Sequence, residues 1–256
     1  MLDIKTILSW YPKNLHGYEQ FIFKEYLQYL ILKIIYESPY KHKLVFLWGT
    51  CLRIVHENRR FSEDLDFDNF DLTKDDFERL SEIIVQKLSL EWFTVEVVNV
   101  YKWAYHCKVK IPKVLKQLWY SNLDDEKILI QIDTVPQYFW YTPETHFLQK
   151  FWLMFPISSV PKSIIASQKV YAIINRKRPK WRDYFDLAFL LSNTSINMQY
   201  IQEKLWWKTP EEVRKKLSIF FENQDKEQLI KDTKPFLFDT SGENNILYFN
   251  EVIKKI

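Results

Sequence analysis

Apolar residues in YEQFIFKEYLQYLILKIIYE (residues 18–37) return every three or four positions, the spacing of one helical face, and predict a helix. KLVFLW (43–48) is a short unbroken apolar run ended by Gly49, which predicts a buried strand, with Thr50 capping a short helix to about Glu57. SEDLDFD (62–68) alternates polar and apolar residues and predicts a second strand. The polar stretch from Asp71 to Asp76 opens a helix to about Leu90, with Thr73 at the N-cap and Asp76 three residues on. FTVEVVNV (93–100), AYHCKVKI (104–111) and KILIQID (127–133) predict three more strands. After Pro136 the character changes, and from about Pro161 the spacing is helical, most clearly in KVYAIINR, DYFDLAFLL and VRKKLSIFF. The pattern predicts an α+β chain, with an α/β domain over residues 1–140 and a mostly helical one over 141–256.

Composition fits such a fold. A hydrophobic share of 47% with 27% charged residues is that of a globular protein. Aromatic residues reach 17%, which supplies either a thick core or surfaces on which bases stack. Cys51 and Cys107 match no metal or disulfide spacing, pointing to a reducing compartment. The start MLDIKTILSW lacks the basic residues and apolar run of a secretory signal. LQYLILKIIY and FLQKFWLMF carry lysines and are too short to cross a bilayer. A soluble, cytoplasmic protein with no membrane partner is expected. The net charge of +3 hides an asymmetry: residues 150–220 hold 13 Lys and Arg against 5 Asp and Glu, an excess of +8, so the rest sums to −5. An acidic first half beside a basic second half suits metal-binding carboxylates near a surface for polyanions, or else a solvated helical face.

Gly49 is one of only three glycines, and it stands where a strand hands over to a helix. A missing side chain there lets a ligand approach the backbone, the helix start offers free N–H groups to a phosphate, and the Thr50 hydroxyl can add a hydrogen bond. Asp64 and Asp66, two apart on a strand, project from one face while Leu65 and Phe67 point to the core. Two such carboxylates bind Mg²⁺ through oxygen and leave positions for substrate phosphates. A calcium loop does not fit, because Asn69 and Asp75 occupy its sixth and twelfth positions. Glu63, Asp68 and Asp71 are expected to be surface charges. In ILIQIDT, Gln131 and Asp133 share one face of an apolar strand. Asp133 either completes the metal site, acts as base toward a hydroxyl, or faces solvent at the strand end. Lone histidines His56 and His106 suggest neither zinc nor a histidine base.

Gly-Thr, a short helix and Asp-x-Asp resemble the signature of the DNA polymerase β-like nucleotidyltransferases. WGTCLRIVHENRRFSEDLDF resembles, more particularly, the GGT…L…RxSxDLDF stretch of AbiEii-type toxins, the toxin half of type IV toxin–antitoxin pairs. A second block, SQKVYAIINRKRPKWRDYFDLAFLL (167–191), resembles their helical motif of a Lys, then Ala and Arg, then Arg-Asp-x-x-Asp-Leu. The chain departs at Trp48, where the family usually has a first glycine. The resemblance implies a nucleotidyltransferase-type mixed sheet, with the helical domain completing an active-site cleft. It also implies that Gly49 and Thr50 hold the β and γ phosphates of an NTP, Asp64 and Asp66 bind Mg²⁺, Lys169 contacts the triphosphate, and Asp186 or Asp183 completes the site.

The residues of that second block agree. Lys169, Ala172 and Arg176 share one helical face, as do Asp183 and Asp186, so a carboxylate there either orients a cation or forms an ordinary salt bridge. Arg60 and Ser62, just before the aspartates, suit a phosphate contact and a strand-start hydrogen bond, or structural roles. Arg53 is expected to be structural. The run Arg176-Lys177-Arg178-Pro179-Lys180-Trp181-Arg182 suits RNA phosphates with a stacking Trp, or is a solvated loop. The expected activity is Mg²⁺-dependent transfer of a nucleotidyl group from an NTP to an acceptor hydroxyl, on a tRNA 3′ end or a protein side chain. A cognate antitoxin is the implied partner and phage defence the implied setting. The alternative is a nucleotide- or RNA-binding regulatory module of the same fold without turnover.

Overall fold

Seven strands build one mixed sheet in the order β3-β4-β5-β2-β1-β7-β6. They are β1 (Leu44–Leu47), β2 (Leu65–Asn69), β3 (Glu96–Tyr101), β4 (Tyr105–Pro112), β5 (Lys127–Val135), β6 (Glu144–Lys150) and β7 (Leu153–Ser159). The computed structural model describes residues 2–112, 127–178 and 180–256. Pro179, in the basic run above, lies outside the described residues. Contacts divide the chain into two compact units, one of Met1–Val55, Ser62–Tyr138 and Pro143–Ser159, the other of His56–Phe61, Phe139–Thr142 and Val160–Ile256.

The first unit holds the whole sheet and the helices α1 (Ile4–Leu8), α2 (Glu19–Glu37), α3 (from Trp48, running to His56) and α4 (Lys74–Leu90). α4 begins at the capping box read from the sequence: Thr73 accepts from Asp76 N–H, and the Asp76 carboxylate accepts from Thr73 N–H. α2 is almost wholly buried. Its Tyr36 hydroxyl donates to the carbonyl of Ser158 at 2.6 Å, and its ring meets Phe67 of β2. Leu65 and Phe67 therefore face the helices, which leaves Asp66 on the opposite surface of the sheet.

β6 and β7 were not legible as strands, and the reason lies in their turn. Lys150 pairs with Leu153 across a two-residue loop, Phe151–Trp152, and both loop residues have positive φ, 55° and 59°. Such hairpin turns ordinarily carry Asn-Gly or Asp-Gly. Here the left-handed backbone of Phe151 is held by packing: the ring is 2% exposed and meets Tyr26 and Tyr29 edge-on at 5.2 and 5.3 Å.

A buried ion cluster ties three elements of this unit together. Glu25 of α2, 3% exposed, accepts from Arg53 of α3 at 2.8 Å, from Lys150 of β6 at 2.9 Å and from the Tyr11 hydroxyl at 2.8 Å. Arg53 is structural, as expected from the sequence. Burial alone would raise the Glu25 carboxyl, but the Arg53 and Lys150 charges hold it below the usual glutamate range.

The second unit is helical: α5 (Lys162–Asn175), α6 (Trp181–Leu191), α7 (Met198–Leu205), α8 (Pro210–Glu222) and α9 (Lys226–Thr233), followed by short turns of helix. Tyr184, Phe221 and Phe249 pack ring on ring at 5.0–5.6 Å in its core. The segment Arg59–Phe61 is pinned to the C-terminal region by an antiparallel bridge between Arg60 and Leu237.

Glu25→Gln should destabilise the protein by about 3–5 kcal/mol in urea unfolding, because it leaves Arg53 and Lys150 buried against a neutral amide. The sign of the pH dependence follows from the lowered carboxyl. In the wild type, Glu25 stabilises fully above its unfolded value of about 4.3 and loses this as pH falls through the lower folded value. The variant should lose less stability over that acid range.

Candidate active site

Register brings the acidic residues together. In the parallel pair β2–β5, Asp66 stands opposite Asp133, and in the antiparallel pair β4–β5, His106 stands opposite the same Asp133. On the other side of β2, Leu47 pairs with Asp66. The row Leu47, Asp66, Asp133, His106 thus crosses four neighbouring strands. It lines a pocket of about 100 Å³ together with Trp48, Phe67, Trp103 and Val135.

Asp133 is held at both oxygens. Its Oδ1 lies 2.7 Å from His106 Nδ1, and its Oδ2 accepts from Gln131 at 2.8 Å. Both members of the His106–Asp133 pair keep about a quarter of their side chains exposed. Sequence reasoning missed His106. The available signal was the alternation in β4 and β5, but pairing the two strands requires their register.

Asp64 lies just ahead of β2 and is half-buried, like Asp66. Its carbonyl accepts the Thr50 hydroxyl. Thr50 is fully buried and sits inside α3 instead of capping it, because the helix begins at Trp48. Gly49 and Thr50 therefore occupy the first helical turn, where backbone N–H groups have no acceptor within the helix. The left-handed residue at this corner is Trp48, with φ 62°, and no glycine among the described residues has a positive φ. A bulky residue in that region costs about 1–2 kcal/mol, so the corner is strained where glycine would relieve it.

Asp68 corrects a sequence expectation. It is 3% exposed and accepts the Gln137 N–H at 2.9 Å, tying the end of β2 to the chain after β5. The parallel register places Asp68 opposite Val135, inside the sheet, so it cannot be a surface charge. Glu63 does lie partly exposed, paired with Lys24 at 3.3 Å. Ser62 enters through its carbonyl, which accepts from the buried Gln28 at 3.0 Å.

The other expected site residues form a cluster in the second unit. Asp186, fully buried, takes both arms of the Arg60 guanidinium at 2.8 and 2.7 Å, the Asn58 amide at 2.9 Å and the Lys169 ammonium at 2.8 Å. Lys169, 5% exposed, also reaches Asp183 at 3.0 Å, and Asp183 meets Arg176 Nε at 3.1 Å. The Arg60 guanidinium carbon lies 5.6 Å from the Trp181 ring centre. Burial would raise the Asp186 carboxyl, but Arg60 and Lys169 hold it below the usual aspartate range. Lys169 is thus compensated by two carboxylates, and Arg60 is spent on Asp186. Arg176, about a third exposed, and the half-buried Arg182 are the more accessible cations of the motif.

Among the described residues, no group of three or more His, Cys, Asp or Glu side chains is arranged to hold a metal ion. The expected set of Asp64, Asp66 and Asp133 is not closed around one point, since Asp133 is turned into His106 and Gln131. Asp66 on β2 and Asp64 just ahead of it still offer carboxylate oxygens of the kind a hard divalent cation takes, with water and phosphate at its other positions. Among the described residues no helix is long and apolar enough to cross a membrane.

Comparison with known proteins agrees with the fold. Two Helicobacter pylori crystal structures share the fold: JHP933, at TM-score 0.56 over 92% of this chain and 91% of its own, and a protein assigned as a candidate nucleotidyltransferase, at 0.55 over 92% and 94%. Both are 17% identical in sequence, so the likeness speaks to the fold alone. No curated protein sequence matches significantly. The family described as nucleotidyl transferase AbiEii toxin, type IV TA system, matches residues 30–247. The chain therefore belongs to the AbiEii family, as a nucleotidyltransferase toxin that takes a nucleotide substrate and has an antitoxin for its cognate partner.

Proposed function

We propose that the chain transfers a nucleotidyl group from an NTP to an acceptor hydroxyl with the help of Mg²⁺, and that the acceptor is the 3′ end of an RNA of the tRNA class. The observation that carries this reading is that Asp66 and Asp133 share one pocket, with Thr50 fastening the start of α3 to the carbonyl of Asp64, two residues before Asp66. In this reading Asp64 and Asp66 hold the ion, and the first-turn N–H groups at Gly49 and Thr50 receive phosphate oxygens. A bound Mg²⁺ would supply the charge that offsets negative charge on the phosphates.

Asp133 takes the proton of the acceptor hydroxyl. Its carboxylate is aimed by His106 and Gln131, and each oxygen retains a lone pair beyond those two contacts. In the second unit, Asp183 and Asp186 fix Lys169 and Arg60 as a rigid charged core from which Arg176 and Arg182 meet polyanions. The basic run they belong to, and the exposed Lys180 within it, favours RNA over a protein side chain as acceptor.

Incubation with radiolabelled NTP, Mg²⁺ and total RNA or lysate should label RNA. Asp64→Asn or Asp66→Asn should lower the rate on the order of 10³-fold, the equivalent of several kcal/mol of metal-supplied stabilisation, and should abolish Mg²⁺-dependent NTP binding. A double Asp64→Ala/Asp66→Ala variant that labels as well as the wild type would sink the reading, and label arriving only on protein would shift the acceptor to a side chain.

Asp133→Asn should separate the two acidic roles. We expect transfer to fall about 10²–10⁴-fold while NTP still binds with Mg²⁺, measured by titration calorimetry. Loss of that binding would instead place Asp133 among the ligands of the ion.

Arg176→Gln and Arg182→Gln should weaken RNA binding and each lower the salt dependence of log K by about 0.7–0.9. An unchanged salt slope in both would remove these residues from the RNA surface.

A further inference from the structure

The pocket around Asp66 has two indoles in its wall, and neither is needed to hold a metal ion or a phosphate. Trp48 follows β1 at the start of α3 and pairs a strained backbone, φ 62°, with a half-buried side chain. Its neighbour in sequence is Gly49, so one further glycine at position 48 would remove the strain at once. A strained residue that keeps a large side chain points to a use for that side chain. Trp103 stands in the tight turn between β3 and β4 and is 79% exposed, with its ring 6.4 Å from the His106 ring and perpendicular to it. A large apolar ring left in water beside a carboxylate pocket contributes little to folding.

We infer that this pocket receives a nucleobase, stacked against Trp48 and Trp103 within reach of polar groups on His106. The inference rests on the proposed nucleotidyl transfer and extends it to the site that reads the base. Three features of the pocket select a heteroaromatic ring over other occupants. Its walls mix flat aromatic surface with the aliphatic Leu47, Ala104 and Val135, which suits a π-face. Its volume of about 100 Å³ suits a small flat group better than a folded peptide segment. Its polar rim includes His106, whose imidazole can meet an exocyclic group of a base while Asp66 and Asp133 keep the roles proposed above. Both the base of the NTP and the terminal base of an acceptor RNA offer this chemistry.

The test uses the full chain with Trp103→Ala, Trp103→Phe and Trp48→Gly. Trp103 is exposed and glycine accepts the backbone of position 48, so all three should fold, which melting curves check. Affinities are measured for three probes in Mg²⁺: tripolyphosphate, each NTP, and a short single-stranded RNA without a triphosphate. Alanine at 103 and glycine at 48 should weaken either the NTP or the RNA about 5- to 100-fold, the range of base–aromatic stacking, and phenylalanine at 103 should restore most of the loss. Tripolyphosphate should bind all forms alike. A loss confined to NTP assigns the pocket to the incoming nucleotide; a loss confined to RNA assigns it to the acceptor; losses in both place the two bases there together. Unchanged affinity for NTP and RNA in both variants overturns the inference. If tripolyphosphate fails to bind the wild type in Mg²⁺, the proposed transfer reading is at fault, and the indole effect on RNA still decides the pocket.

Discussion

The parallel register between β2 and β5 is the constraint on which the candidate site depends. It sets Asp66 opposite Asp133, and the antiparallel register of β4 then sets His106 beside them. Because side chains alternate with a period of two, a slip of one residue would send both aspartates into the helix-packed face and bring Leu65 and Phe67 out of it. The apolar packing of Leu65, Phe67, Ile130 and Ile132 forbids that slip, since all four are essentially fully buried. The core thus fixes the chemistry, and the polar face can carry carboxylates at little cost because it never has to choose the register.

Two buried ion clusters give the framework its stiffness, and both follow the same electrostatic logic. A carboxylate removed from water is tolerated only when surrounded by donors, and Glu25 and Asp186 each have several. Glu25 anchors α3 through Arg53, and so braces the helix whose first turn carries Gly49 and Thr50. Asp186 draws Arg60 and Lys169 inward. Lys169 and Arg60 of that cluster are therefore part of the scaffold, and Arg176 and Arg182 are its less buried cations.

The scarcity of glycine shapes the backbone in an unusual way. Eight non-glycine residues among those described take positive φ, and four of them are tryptophans: Trp48, Trp92, Trp152 and Trp206. Tertiary packing holds Phe151 at the β6–β7 turn. At position 48, the ring lies in the wall of the pocket. Where the resemblance leads one to expect a first glycine ahead of Gly49, Trp48 adds aromatic surface at the cost of local strain.

The sequence by itself determined much of the fold. Periodicity located α2, α4, β1 to β5 and the principal second-unit helices, because each shows its buried face as a repeat within one segment. The capping box at Thr73 and the alternation of Asp64, Leu65, Asp66 and Phe67 are equally local, and so are the two motifs that placed the family. Only the tertiary structure decided what depends on partners distant in sequence. The β6–β7 hairpin had no glycine signal, and its turn is held by Tyr26 and Tyr29 from α2. Asp68 looked like a surface charge until its strand end met Gln137. His106 looked solitary until strand register put it against Asp133. Arg60 suited a phosphate contact or a structural role equally well in the sequence, and the structure supplies partners the spacing could not name: Asp186 for the Arg60 guanidinium and the Asp64 carbonyl for the Thr50 hydroxyl. A side chain's type and spacing state what it can bind, but which of its possible partners it meets is settled by the packing that brings remote segments into contact.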